Sequence, residues 1–86
     1  MPHQNKVDLI VVVNGRPVEV GANIHAPLRA LIDQALDKSG NSGQPIENWE
    51  LRDAGGTILV PERKLEEFSF PEGTKLFLNL KAGIGG

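Results

Sequence analysis

The sequence predicts an α+β domain in which a mixed sheet of four to five strands packs on one central helix. Three observations carry that expectation. Two β-branched apolar runs flank Asn14-Gly15, the stretch Ile24 to Leu36 repeats its apolar residues every three or four positions, and Leu76-Phe77-Leu78-Asn79-Leu80 alternates near the end. A period of two marks a half-buried strand, and a period near 3.6 marks a helix with one apolar face.

In chain order, Val7 to Val13 is the first strand. Asn14-Gly15 follows, a dipeptide suited to a type I′ turn because both of its central residues need positive φ. Arg16 to Val20 returns as the partner strand. A two-residue turn pairs Val13 with Arg16, Val11 with Val18 and Leu9 with Val20, so these residues and Val7 share one face. Asp8, Ile10, Val12, Pro17 and Glu19 take the other face. Pro17 lacks a ladder N–H, which places its strand at an edge or Pro17 at a non-bonded position.

Gly21-Ala22-Asn23 is read as leaving the hairpin. Asn23 or His25 is positioned to cap a helix, with Pro27 in its first turn. Ile24, Leu28, Leu31, Ile32, Ala35 and Leu36 form the apolar stripe, and Gly40 is the residue that ends the helix. Trp49 to Asp53 alternates as a third strand, with Trp49 assigned to the core. Ala54-Gly55-Gly56 turns it and Thr57 to Val60 returns. Pro61 to Phe68 reads as a short helical turn opened by proline. Lys75 to Leu80 is the last strand, with Leu76, Leu78 and Leu80 inward and Phe77 outward. The connection through the helix is expected to be right-handed.

Composition bounds the function. The chain has 86 residues, no cysteine and a net charge of −2. One domain is expected over residues 1–80, followed by a flexible tail over 81–86. The absence of cysteine excludes disulfides, a thiol nucleophile and thiolate-held zinc. Mixed charges give no basic field for nucleic acid or membrane. The longest apolar run, Leu9 to Val13, is too short to span a bilayer, and the first residues lack an apolar signal core. A cytoplasmic monomer is expected. His3 and His25 have no second ligand near them in sequence, so no metal is expected. Gly83-Ile84-Gly85-Gly86 precedes no helix and is no phosphate cradle, and Ala54-Gly55-Gly56-Thr57 suits a hairpin turn. No catalytic constellation or cofactor motif is present, and the chain is not expected to be an enzyme.

The last stretch, Lys81-Ala82-Gly83-Ile84-Gly85-Gly86, is a thin segment that reaches about 20 Å when extended. The element order, the tight hairpin, the central helix and this Gly-Gly end together resemble the β-grasp fold of ubiquitin-like modifiers over Lys6 to Gly86. The segments Glu47-Asn48-Trp49-Glu50-Leu51-Arg52-Asp53 and Val60-Pro61-Glu62-Arg63-Lys64-Leu65 look like those of small bacterial ubiquitin-like proteins found beside activating, conjugating and deconjugating enzymes. Ala82, Gly83 and Ile84 stand where eukaryotic ubiquitin carries basic and bulky residues.

The resemblance implies that Gly86, with Gly85 keeping the approach narrow, is the conjugation residue. Its carboxylate would be adenylated by an activating enzyme, passed to an enzyme thiol and joined to a target lysine as an isopeptide. A conjugating enzyme, a deconjugating protease and target proteins are the implied partners. ATP and magnesium would belong to the partner, so no cofactor is expected here. In such a sheet the first and last strands lie side by side, so Ile10, Val12 and Phe77 would form one exposed apolar patch, a partner surface. Two other readings share the fold: a sulfur carrier with a C-terminal thiocarboxylate, and a non-conjugated binding module in which the glycines are incidental.

Overall fold

The computed structural model describes residues 5–82. Five strands, β1 (Lys6–Val13), β2 (Arg16–Asn23), β3 (Trp49–Arg52), β4 (Ile58–Leu59) and β5 (Lys75–Leu80), form one sheet in the order β2-β1-β5-β3-β4. The helix α1 (Leu28–Lys38) crosses one face. β1 and β5 are parallel, and the other neighbours are antiparallel. The expected tail lies, from Gly83 on, outside the described residues.

The hairpin forms as its sequence dictates. Asn14 and Gly15 both take positive φ, and the register joins Val13 to Arg16, Val11 to Val18 and Leu9 to Val20. Pro17 lies on the edge strand opposite Val12, at a position where the ladder needs no N–H from it. β2 runs three residues longer than its sequence suggests. Gly21, Ala22 and Asn23 pair with Asp8, Val7 and Lys6, because pairing with β1 outweighs the weak strand preference of Gly, Ala and Asn.

α1 also begins later than its periodicity suggests. Pro27 is the residue before it, and no side chain caps it. Asn23 accepts the His25 N–H through its side chain and the Ala26 N–H through its carbonyl, so this stretch is a turn and Ile24 lies outside the helix. The first two helical N–H groups, of Leu28 and Arg29, donate to the Arg63 and Pro61 carbonyls at 2.8 Å each. Main chain from a distant segment thus meets donors that α1 cannot satisfy internally. At the other end Gly40 takes φ +77°. The Asn41 N–H then reaches the Leu36 carbonyl and the Gly40 N–H reaches that of Asp37, the paired closure of a left-handed helix end. A Cβ at Gly40 meets nothing within 4 Å. Gly40→Ala is therefore expected to cost about 1–2 kcal/mol from backbone strain alone, read from the shift of the urea midpoint at constant slope.

The core lies between α1 and the inner face of the sheet. Leu9, Val11, Val13, Val20, Leu76 and Leu78 face Leu28, Leu31, Ile32, Ala35 and Leu36 across it. Trp49, Leu51, Leu59 and Leu65 close the far end. Val18, Ile24 and Leu80, also expected inside, are only partly buried at its margin. The segment after β4 forms a 3₁₀ turn over Leu65–Glu67, preceded by Lys64 and not by Pro61. The Lys64 N–H donates to the Glu67 carboxylate, which also pairs with Arg63; these bonds hold the Glu67 carboxyl below its ordinary pKa. The stabilisation is therefore present above the usual carboxylate range and is lost as pH falls through the depressed value.

Candidate functional site

The outer face of the sheet, opposite α1, carries the residues that sequence reasoning assigned to a partner. Val12 is the Cα partner of both Pro17 on β2 and Phe77 on β5. Phe77 pairs with Arg52 on β3, and Arg52 with Ile58 on β4. Pro17, Val12, Phe77, Arg52 and Ile58 therefore form one row across all five strands, four spacings or about 19 Å long. Ile10 flanks the row on β1, beside Lys75. The structure thus brings Ile10, Val12 and Phe77 together. It also corrects their exposure: all three are half-buried. They lie on central strands, where side chains of neighbouring strands shield one another.

Arg52 does not interrupt the apolar row with a free charge. Its guanidinium bonds to Glu50 at 2.8–2.9 Å and to the Gly56 carbonyl at 3.0 Å. Ile58 belongs to the face although its sequence gave no such signal. It is 52% exposed, and with Val60 at 49% it is one of two large apolar side chains that the described residues leave open.

Beside this face, at the β4 edge, lies a cleft of about 400 Å³ whose wall includes Ile46, Trp49, Leu51, Ile58, Val60 and Lys81. Trp49 is core, as its alternation with Leu51 predicts, at 3% exposure. Its indole Nε1 is buried without a hydrogen-bond partner among the described residues. Arg29 at the cleft rim pairs with Glu62 at 3.2 Å and with Glu47 at 3.9 Å. The Lys81 N–H donates to the Asn48 carbonyl, so main-chain pairing continues one residue past β5. Gly85 and Gly86 lie outside the described residues. His25 pairs with Glu66 at 3.0 Å, and among the described residues no cluster of ligating side chains could hold a metal. No helix among them is long and apolar enough to cross a membrane.

Phe77→Ala is expected to cost about 1–2 kcal/mol of stability, since a half-buried ring loses part of the 3–5 kcal/mol that a core ring loses. The domain should stay folded by far-UV circular dichroism. A loss beyond 3 kcal/mol would place the ring in the core.

The geometry matches known proteins closely. Residues 2–86 match the family model described as Protein of Unknown function (DUF2604). The chain is 46% identical over 81 residues to the uncharacterized protein y4jI of Sinorhizobium fredii, covering 94% of this chain; it spans 62% of the length of that relative. Among solved structures, a protein designed on the basis of ubiquitin superposes with a TM-score of 0.78 at 20% identity, covering 98% of this chain and 99% of that one. The ubiquitin of Caldiarchaeum subterraneum gives 0.74 at 20% identity, over 94% and 99%. The ubiquitin-like domain of an Arabidopsis thaliana protein gives 0.74 at 19% identity, over 95% and 84%. The fold is ubiquitin-like β-grasp.

Proposed function

The chain belongs to the family described as Protein of Unknown function (DUF2604), and we propose that it acts as a ubiquitin-like protein modifier. The observation that carries this reading is the position of Gly85-Gly86. The pair begins five residues after a β5 strand that is central to a ubiquitin-like sheet. A rigid body and a side-chain-free pair suit an enzyme that must hold one and admit the other into a narrow site. With Gly86 as the terminal residue of the mature protein, its carboxylate is a poor electrophile. Adenylation with ATP, releasing pyrophosphate, would activate it; an enzyme thiol would displace AMP, and a target lysine amine would displace the thiol to leave an amide. The row of Val12, Phe77 and Ile58, with Ile10 beside it, is the surface by which activating, conjugating and deconjugating enzymes would recognise the body. In this reading the protein is the substrate of these steps and supplies no catalytic group.

The test is the pattern of host proteins carrying the chain, read by immunoblot and mass spectrometry in its own host. A set of adducts that depends on Gly85-Gly86 supports the reading, and an unaltered set after their removal overturns it. Phe77→Ala is expected to weaken adduct formation at least tenfold while the domain stays folded, since truncating an aromatic anchor commonly costs about 2 kcal/mol or more at an interface.

A further inference from the structure

The two large apolar side chains that the described residues leave open, Ile58 and Val60, both stand in the wall of the cleft beside β4, with Ile46, Trp49 and Lys81. The wall is balanced in charge. Arg29 and Lys81 offset Glu47 and Glu62, and the remaining carboxylate, Glu50, is bound by Arg52 at 2.8 Å. A charged occupant gains nothing from such a wall, whereas an uncharged apolar one is free to cover Ile58 and Val60. Trp49 adds a donor. Its buried indole N–H has no partner among the described residues, and a main-chain carbonyl is the kind of acceptor that would meet it.

A segment of that chemistry lies within reach on the same chain. The described residues stop at Ala82, next to Lys81 in the cleft wall. β4 lies two strand spacings, about 10 Å, from β5. Ile84 is three residues past Lys81, a reach of about 10–11 Å in extended form before its side chain is counted. It is the one large apolar residue of the stretch 81–86. Gly83 and Gly85 on either side of it carry no side chain, so the main chain there can lie close against a wall.

We propose that Ile84 of this chain's own tail docks in the cleft, packing on Ile46, Ile58 and Val60 and bringing a main-chain carbonyl to the Trp49 indole. The contact is intramolecular, so an attraction too weak to hold a free peptide suffices to hold a tail tethered at Lys81. Docking is a property of this chain alone and does not rest on the modifier reading. Where that reading holds, the docked tail keeps Gly85-Gly86 against the body and out of the narrow site of an activating enzyme. Ile84 is then a latch that the enzyme releases before it reaches the Gly86 carboxylate.

The experiment is nuclear magnetic resonance on the full chain with labelled isoleucine and valine methyls, beside the variants Ile84→Ser and Val60→Lys. It needs no partner enzyme, so its outcome is separate from that of the host adducts. The expected result is nuclear Overhauser contacts from the Ile84 methyls to those of Val60 and Ile46, at an intensity independent of protein concentration. Ile84→Ser should remove them and move the Trp49 indole resonance. Val60→Lys, at an open position, should remove them while the spectrum stays folded. Amide exchange at Gly85 should be at least about threefold slower in the full chain than in Val60→Lys, because a tail docked most of the time is open less than a third of it. Four results would each overturn the proposal. They are no Ile84 contact to the cleft, contacts to Phe77 instead, Gly85 exchange equal in the two chains, and contacts that grow with protein concentration, which would make a second copy the occupant.

Discussion

Leu78→Ala is expected to lower the unfolding free energy by about 2–5 kcal/mol. Leu78 is fully buried on β5, the central strand, and its Cα partners are Val13 on β1 and Leu51 on β3. No neighbour can move in to fill the space without breaking a ladder, because strands flank it on both sides and α1 covers the face. The cost should therefore combine lost burial with an uncollapsed cavity. A domain of this size has a stability of roughly 4–13 kcal/mol at 0.05–0.15 kcal/mol per residue, so the substitution removes a large part of it. Urea denaturation measures it directly. An unchanged midpoint would mean that Leu78 faces solvent, which would invert the whole parity of β5 and bring Phe77 inside.

Removing Gly85 and Gly86 is expected to have the opposite profile: no change in stability beyond about 0.5 kcal/mol, and complete loss of ATP-dependent adducts. The described core ends at Leu80, five residues before the pair, and the last ladder bond described runs from Lys81 to Asn48. Gly86→Ala separates chemistry from bulk. It keeps a carboxylate at the same chain length but adds a Cβ to the carbon beside it, so thioester formation should slow while folding is untouched. Time courses of adduct formation with purified activating enzyme and ATP would read this. Equal rates for the alanine variant would mean that the site around the terminal residue tolerates a side chain.

What was legible in the sequence is what local rules decide. Asn14-Gly15 set the turn type, the turn length set the register of β1 against β2, and period two set the parity of β5. Gly40 marked the helix end because only a residue free at positive φ fits there. The parts that stayed hidden depend on residues far away in the chain. β2 continues through Gly21 to Asn23 because Lys6 to Asp8 are there to pair with it. α1 starts at Leu28 because carbonyls near residue 62 meet its first donors. Ile58 carried no signal, since one isoleucine in a two-residue strand has no period to read. Ile10, Val12 and Phe77 were placed on the correct face, but their shielding by neighbouring strands needed the assembled sheet. The cleft arises only where the 3₁₀ turn over Ile46–Asn48, the end of β4 and the start of α1 meet.

The way α1 begins has a consequence for how this chain can diverge. Its start is held by the carbonyls of Pro61 and Arg63, groups that every residue type possesses. No side-chain replacement at positions 61–63 removes those carbonyls, whereas a serine or aspartate cap is lost with one codon. What must be inherited is a path, the route of the main chain from β4 into the turn at Leu65, and Leu65 anchors that path in the core. Related chains should therefore drift freely in residue type around the helix start while keeping the number of residues between β4 and Leu65. An insertion or deletion there would uncap the helix more surely than any substitution.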